Sequence, residues 1–116
     1  MPVGTPTKRS RWRVATTTIT ASTSDQTLLA APGAGIKTYV TDMQATNSSA
    51  STRSRLAVKE DSTTVETHPL PAAGSGFEMH RSDQEALELS ANTALKVATE
   101  VSVSSVYVSA QGYYGA

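Results

Sequence analysis

The stretch Ile36-Lys37-Thr38-Tyr39-Val40-Thr41-Asp42-Met43-Gln44-Ala45-Thr46-Asn47 decides the fold class. β-branched and aromatic residues recur through it and it contains neither glycine nor proline, which suits a pleated strand. Turn chemistry bounds it on both sides, with Ala31-Pro32-Gly33-Ala34-Gly35 before and Asn47-Ser48-Ser49-Ala50-Ser51 after. Side chains alternate across a strand, so Ile36, Thr38, Val40 and Asp42 share one face while Lys37, Tyr39, Thr41 and Met43 share the other. Both faces carry apolar residues, as expected of a strand covered on both sides.

The same pattern extends outward in both directions. Arg11 to Thr20 sets Trp12, Val14, Thr16 and Thr18 on one face at period two, and Gln26 to Ala31 is a short apolar run. Ser54 to Lys59 turns Leu56 and Val58 inward, with Arg55 and Lys59 outward. Asp61-Ser62 reads as a hairpin break before Thr63 to His68. Pro69-Leu70-Pro71 and Gly74-Ser75-Gly76 frame a long turn leading into Phe77 to His80. Leu87 and Leu89 are expected to pair across Ser90-Ala91-Asn92-Thr93 with Leu95 and Val97. A last strand runs from Val101 to about Gln111, with Val106, Val108 and Ala110 on one face. No long segment has a helical period; Ser82 to Leu89, with Asp83 and Glu85, is the sole candidate for a short helical turn. Strands at this spacing predict an all-β, jelly-roll-like antiparallel β-sandwich of about eight strands over residues 14–116. Residues 1–13 are expected to form a short extended basic arm, because Met1-Pro2-Val3-Gly4-Thr5-Pro6-Thr7 has nothing to bury.

Composition narrows the function classes. The 116 residues include 17 Thr and 15 Ser, whose side chains compete for backbone hydrogen bonds and disfavour helix. Ten basic and ten acidic residues give a formal net charge of zero, against the basic excess of a general nucleic-acid binder. The absence of cysteine excludes a disulfide scaffold and thiolate metal sites. No apolar run approaches the roughly 20 residues of a membrane helix. The first residues lack the apolar core of a secretory signal, so a cytoplasmic product is expected.

Few residues suggest chemistry. His68 and His80 would supply half of a metal site if their strands paired, with Glu66 and Glu78 each two residues before a histidine. Solvated surface residues explain the same pattern, and no metal site is expected. Gly74-Ser75-Gly76 lacks the strand–elbow–helix context of a nucleophilic serine, and no phosphate-binding glycine loop is present. Asn47-Ser48-Ser49 fits the glycosylation pattern but reads as a polar turn. An enzyme is not expected, nor is a catalytic residue or a cofactor.

Charge is distributed unevenly. Lys8, Arg9, Arg11 and Arg13 give the first 13 residues a charge of +4, leaving six basic and ten acidic groups, or −4, in the remainder. Trp12, the only tryptophan, lies inside the cluster. It reads in three ways: phosphate contact with a stacking ring, an arm anchored by Trp12 on an acidic neighbour, or a tail running into a strand with Trp12 in the core. Eight of the acids lie between Glu60 and Glu100, where an arm from another copy would find them. A small sandwich with a thin core gains stability by burying surface and strand edges in an oligomer. Tyr113 and Tyr114, with Tyr107, are interface candidates; rims that cap the core with wet hydroxyls are the alternative.

From Leu28 onward the chain resembles small β-sandwich structural proteins of tailed bacteriophages. The resemblance rests on Leu29-Ala30-Ala31-Pro32-Gly33-Ala34-Gly35-Ile36-Lys37-Thr38-Tyr39-Val40-Thr41, Asn47-Ser48-Ser49-Ala50 and Leu70-Pro71-Ala72-Ala73-Gly74-Ser75-Gly76-Phe77. It continues in Leu87-Glu88-Leu89-Ser90-Ala91-Asn92-Thr93-Ala94-Leu95-Lys96-Val97 and Val106-Tyr107-Val108-Ser109-Ala110-Gln111-Gly112-Tyr113. These are turn-and-strand motifs, not catalytic signatures. The resemblance implies a virion component without enzymatic activity: a decoration (cement) protein on the capsid surface, often a homotrimer, that binds the major capsid protein. Tail, baseplate and head-fibre sandwiches are related alternatives, and a carbohydrate-binding host-attachment module is a further one. Under the leading reading, Lys8, Arg9, Arg11, Trp12 and Arg13 contact a neighbour or the shell.

Overall fold

Why nine short strands make two sheets follows from their pairing in the computed structural model, which describes residues 11–115. The strands are β1 (Arg11–Ile19), β2 (Gln26–Leu29), β3 (Lys37–Asn47), β4 (Ser54–Glu60), β5 (Thr63–Leu70), β6 (Gly76–His80), β7 (Leu87–Glu88), β8 (Leu95–Thr99) and β9 (Val106–Gly115). One sheet has the order β1-β9-β3-β6, with the two-residue β7 also on β3; the other has the order β2-β8-β4-β5. All pairs are antiparallel. The pairs β1·β9, β2·β8, β3·β6 and β4·β5 are nested, as in one long hairpin folded over on itself. This wrapping is that of a jelly roll.

The core lies between the sheets. Val40, Met43, Ala45, Val106, Val108 and Ala110 face Leu28, Leu56, Val58, Leu70, Leu95 and Val97, all buried. Each fully buried Leu or Val contributes about 1.5–3 kcal/mol, so this short inventory must be packed without waste. β3 is the long central strand: β9 flanks it on one side, and β6 and β7 share the other. Between β6 and β7 the chain leaves the sheet over residues 81–86, with a 3-10 turn at Asp83–Glu85 inside the stretch Ser82 to Leu89 that is the sole candidate for a helical turn in the sequence.

Several sequence expectations change. A register shift between Trp12 and Ala15 breaks the period-two face of β1: Trp12 is buried, yet Thr16 and Thr18 are exposed. A bulge admits an extra residue and so reverses which face follows it. Leu87 and Leu95 do not form a hairpin, because β7 belongs to the sheet of β3 and β8 to the other; alternation alone does not distinguish a hairpin from a crossing between sheets. The last strand begins at Val106, not Val101, and continues to Gly115. Residues 11–13 belong to β1, so the described sandwich begins before residue 14.

Two positions test the packing. A Cβ at Gly112 would fall on the Tyr39 carbonyl and 2.8 Å from Trp12 Cζ2, so Gly112→Ala is expected to lower stability by about 2–3 kcal/mol in urea unfolding. Thr38 Oγ1 is buried with no hydrogen-bond partner among the described residues. Removing an unsatisfied polar atom without changing shape relieves its desolvation cost. Thr38→Val is therefore expected to raise the denaturation midpoint or leave it unchanged; a clear fall would show that the hydroxyl is satisfied.

Candidate interaction surface

Of the candidate site residues that the structure describes, Arg11, Tyr107 and Tyr113 lie on the outer face of the β1-β9-β3-β6 sheet. Tyr113 on β9 stands opposite Arg11 on β1 and Tyr39 on β3. The two tyrosine rings stack at 4.7 Å with 13° between their planes, and the Arg11 guanidinium carbon lies 5.6 Å from the Tyr113 ring centre. The 81–86 excursion covers this stack: the Tyr113 hydroxyl donates to the Asp83 carbonyl at 2.7 Å, and Arg11 Nη2 reaches the Asp83 carboxylate at 2.7 Å. Tyr113 is consequently only 2% exposed. It is a structural ring under a strap, not an open interface aromatic. Tyr114 is half-buried against the core, while Tyr107, 54% exposed, stands free on the same outer face as Tyr113.

Trp12 takes the core position among the three readings of the basic cluster. It is 7% exposed, and its indole N–H donates to the Tyr113 carbonyl at 3.3 Å. An anchor for a neighbouring subunit has to protrude, so Trp12 does not serve as one. Arg11 meets the acidic region within its own chain, through Asp83. Lys8 and Arg9 lie outside the described residues, as does the side chain of Arg13.

A shallow hollow of about 140 Å³ on this face is lined by Asp42, Gln44, His80, Ser109 and Gln111. A register shift between Val40 and Asp42 places the Asp42 carboxylate where three groups reach it. Gln111 Nε2 donates at 2.9 Å, Thr41 Oγ1 at 2.9 Å, and His80 Nδ1 lies 2.8 Å away. His80 Nε2 is 3.5 Å from Glu78. The Gln111 hydrogen bond, followed by that of His80, holds the Asp42 carboxyl below its ordinary value. The bond to Asp42, with help from Glu78, raises His80. Beside the stacked tyrosines, the hydrogen bond to Glu88 raises Lys37. This arrangement orients polar groups toward solvent and offers planar acceptors and donors to a docking surface.

The two histidines are not brought together. β5, carrying His68, lies in the opposite sheet from β6, carrying His80. His68 stacks on Phe77 at 4.2 Å across the open side of the sandwich, and Glu66 holds both His68 at 3.0 Å and Arg81 at 2.7 Å. Among the described residues no group of three or more potential ligands is placed to hold a metal ion. Asn47 is fully buried with its amide nitrogen bonded to two carbonyls, so the folded chain offers no glycan acceptor there. Among the described residues no helix is long and apolar enough to cross a membrane. No family model matches the chain, and no curated protein matches it.

The Asp42–His80 pair has a defined pH window. Asp42 is lowered from an ordinary value of 3.8 and His80 raised from 6.5. The pair's contribution is full between those two values. It is lost as pH rises through the folded-state value of His80, and as pH falls through that of Asp42. In an NMR titration, His80 is expected to deprotonate at higher pH than free histidine, and Asp42→Asn is expected to bring the midpoint back toward 6.5.

Proposed function

We propose that this chain is a non-enzymatic structural protein of a bacteriophage virion, a decoration (cement) protein that self-associates as a trimer and binds the major capsid protein. The resemblance to phage β-sandwich proteins supplies the class, and the jelly-roll architecture is consistent with it. The observation that carries self-association is the charge arrangement of the sheet ordered β1-β9-β3-β6. Its β1 edge follows directly on the basic segment of the sequence, while β6 and β7, on the far side of β3, carry Glu78 and Glu88, with Glu85 on the excursion between them. Unlike edges that attract give a heterologous contact, and such contacts close into rings when the rotation allows. Repetition on a symmetric shell would then multiply modest contacts through avidity.

A second reading, a carbohydrate-binding module for host attachment, is favoured by the exposed Tyr107 on the same face as the Asp42–Gln44–His80 hollow. Aromatic faces and planar polar groups together suit saccharides.

Quantitative mass spectrometry of purified virions tests the leading reading. A copy number in fixed ratio to the major capsid protein is expected; a few copies per particle would indicate a tail or head-fibre component, and none would overturn the virion assignment. The arm is tested by deleting residues 1–10, which spares β1 and Trp12. The truncated protein is expected to keep its thermal midpoint and to lose co-sedimentation with capsids. Full saturation of capsids by the truncated form would remove the arm from the interface.

A further inference from the structure

We infer that a hollow at one end of the β2-β8-β4-β5 sheet is a docking site for an extended acidic segment of a partner protein. The hollow measures about 440 Å³ and lies between the start of β4 and the end of β5, bordered by Arg53, Arg55, Pro69, Pro71, Glu100 and Val101. It is remote from the Asp42–His80 hollow, on the other sheet, and it stands whether or not the chain belongs to a virion.

Three features define what fits. First, Arg53 and Arg55 are exposed and make no ion pair among the described residues, whereas Arg11, Lys37, Lys59 and Arg81 each hold a carboxylate. Glu100 borders the same hollow without pairing to either arginine. Second, several other polar groups of the floor are already engaged within the chain. Ser54 Oγ donates to the Val101 carbonyl at 2.9 Å and accepts from Val101 N–H at 3.0 Å. The Arg55 carbonyl accepts from Glu100 N–H at 3.0 Å, and the Leu70 carbonyl from Asn47 at 3.2 Å. The donors left for a ligand are the two guanidinium groups, which recognise carboxylates through paired hydrogen bonds. Third, Pro69, Pro71 and the 47% exposed Val101 form an apolar wall.

The shape selects an extended peptide. Arg53 and Arg55 are two residues apart where the chain enters a strand, a separation of about 6–7 Å that matches carboxylates on alternate residues of an extended segment. The intervening side chains of such a segment would face the proline–valine wall. Pro69 has no N–H, so the ligand cannot simply extend the sheet at this point of the β5 edge; recognition falls to side chains. A nucleic-acid strand is disfavoured, because no aromatic ring lines the hollow for stacking.

Fluorescence anisotropy with the full chain tests this, using labelled peptides of alternating glutamate and valine, alternating lysine and valine, and a labelled oligothymidine. Binding of the glutamate peptide alone, weakening with added salt, is expected. The double variant Arg53→Ala/Arg55→Ala is expected to lose at least about tenfold in affinity, the scale of one charge-assisted hydrogen bond. Lys96→Ala, which removes another cation unpaired among the described residues, should bind as the parent does. Both arginines are exposed, and circular dichroism checks that the double variant keeps its fold. The inference is overturned by three results: no binding of the glutamate peptide, equal binding by the double variant, or oligothymidine binding as tightly. It is also overturned if sedimentation shows the double variant to be dissociated where the parent is oligomeric, since a second copy would then be the occupant.

Discussion

The side chain of Asn47 is the polar clamp between the two sheets, and the nested topology depends on it. It is fully buried at the end of β3, where the chain leaves one sheet to enter the other. Its amide nitrogen donates to the Thr52 carbonyl at 2.9 Å and to the Leu70 carbonyl at 3.2 Å, and its oxygen accepts from Ser49 N–H at 2.9 Å. Its own backbone joins Ser75 and Gly74 in the β5–β6 turn. One residue thus holds the β3–β4 crossing, the last residue of β5 and the return to β6. Each unmade bond of such a buried group would cost about 1–3 kcal/mol, so alternatives that misplace any of these segments are penalised together.

At the other end of the sandwich the equivalent constraint is steric. β9 runs between β1 and β3, and both neighbours shift register opposite the same short stretch of it, residues 110–112. Gly112 permits this because the Tyr39 carbonyl and the Trp12 ring occupy the space a Cβ would take. The shift in β1 accompanies the inward turn of Trp12, and the shift in β3 presents Asp42 to Gln111 and His80. Core filling and the outer polar cluster are therefore two consequences of one pair of irregularities. The stacked tyrosines with their Asp83 strap cover the outside of the same region, which suits a sheet whose inner layer is thin.

How much of this was legible follows from what alternation encodes. The central strand Lys37–Asn47, the inward Leu56 and Val58, and the Val106–Val108–Ala110 face are read directly from period two and flanking turns. The same signal is silent about sheet changes, which is why Leu87 and Leu95 resemble a hairpin and why His68 and His80 look like neighbours. It is also silent about bulges, so period two alone groups Trp12 with Thr16 and Thr18. Asn47 was visible as a turn residue but not as a buried clamp, because its three partners are fixed only when β5 returns to the end of β3. The Asp42–His80 pair depends on β3 meeting β6 across 38 residues, a pairing no local motif announces. Tyr113 carried an aromatic signal that fitted rim and interface equally, and the covering strap decides between them.

The distribution of satisfied charge separates surface that serves the fold from surface left over. Arg11, Lys37, Lys59 and Arg81 tie strands or loops to one another: β1 to the 81–86 excursion, β3 to β7, β4 to the segment before β2, and that excursion to β5. Exposed pairs of this kind contribute little stability each, on the order of 0–1 kcal/mol, but they consume charge that would otherwise attract partners. In a chain of zero net charge and abundant hydroxyls, the remaining unpaired groups therefore dominate what the surface can recognise. Among the described residues these include Arg53 and Arg55, with Glu100 beside them, at the end where Asn47 clamps the sheets, and Lys96 and Glu85 elsewhere. Arg53 and Arg55 are neighbours of one sign, and identical patches repel, so this end of the sandwich favours a partner of opposite charge over symmetric self-pairing.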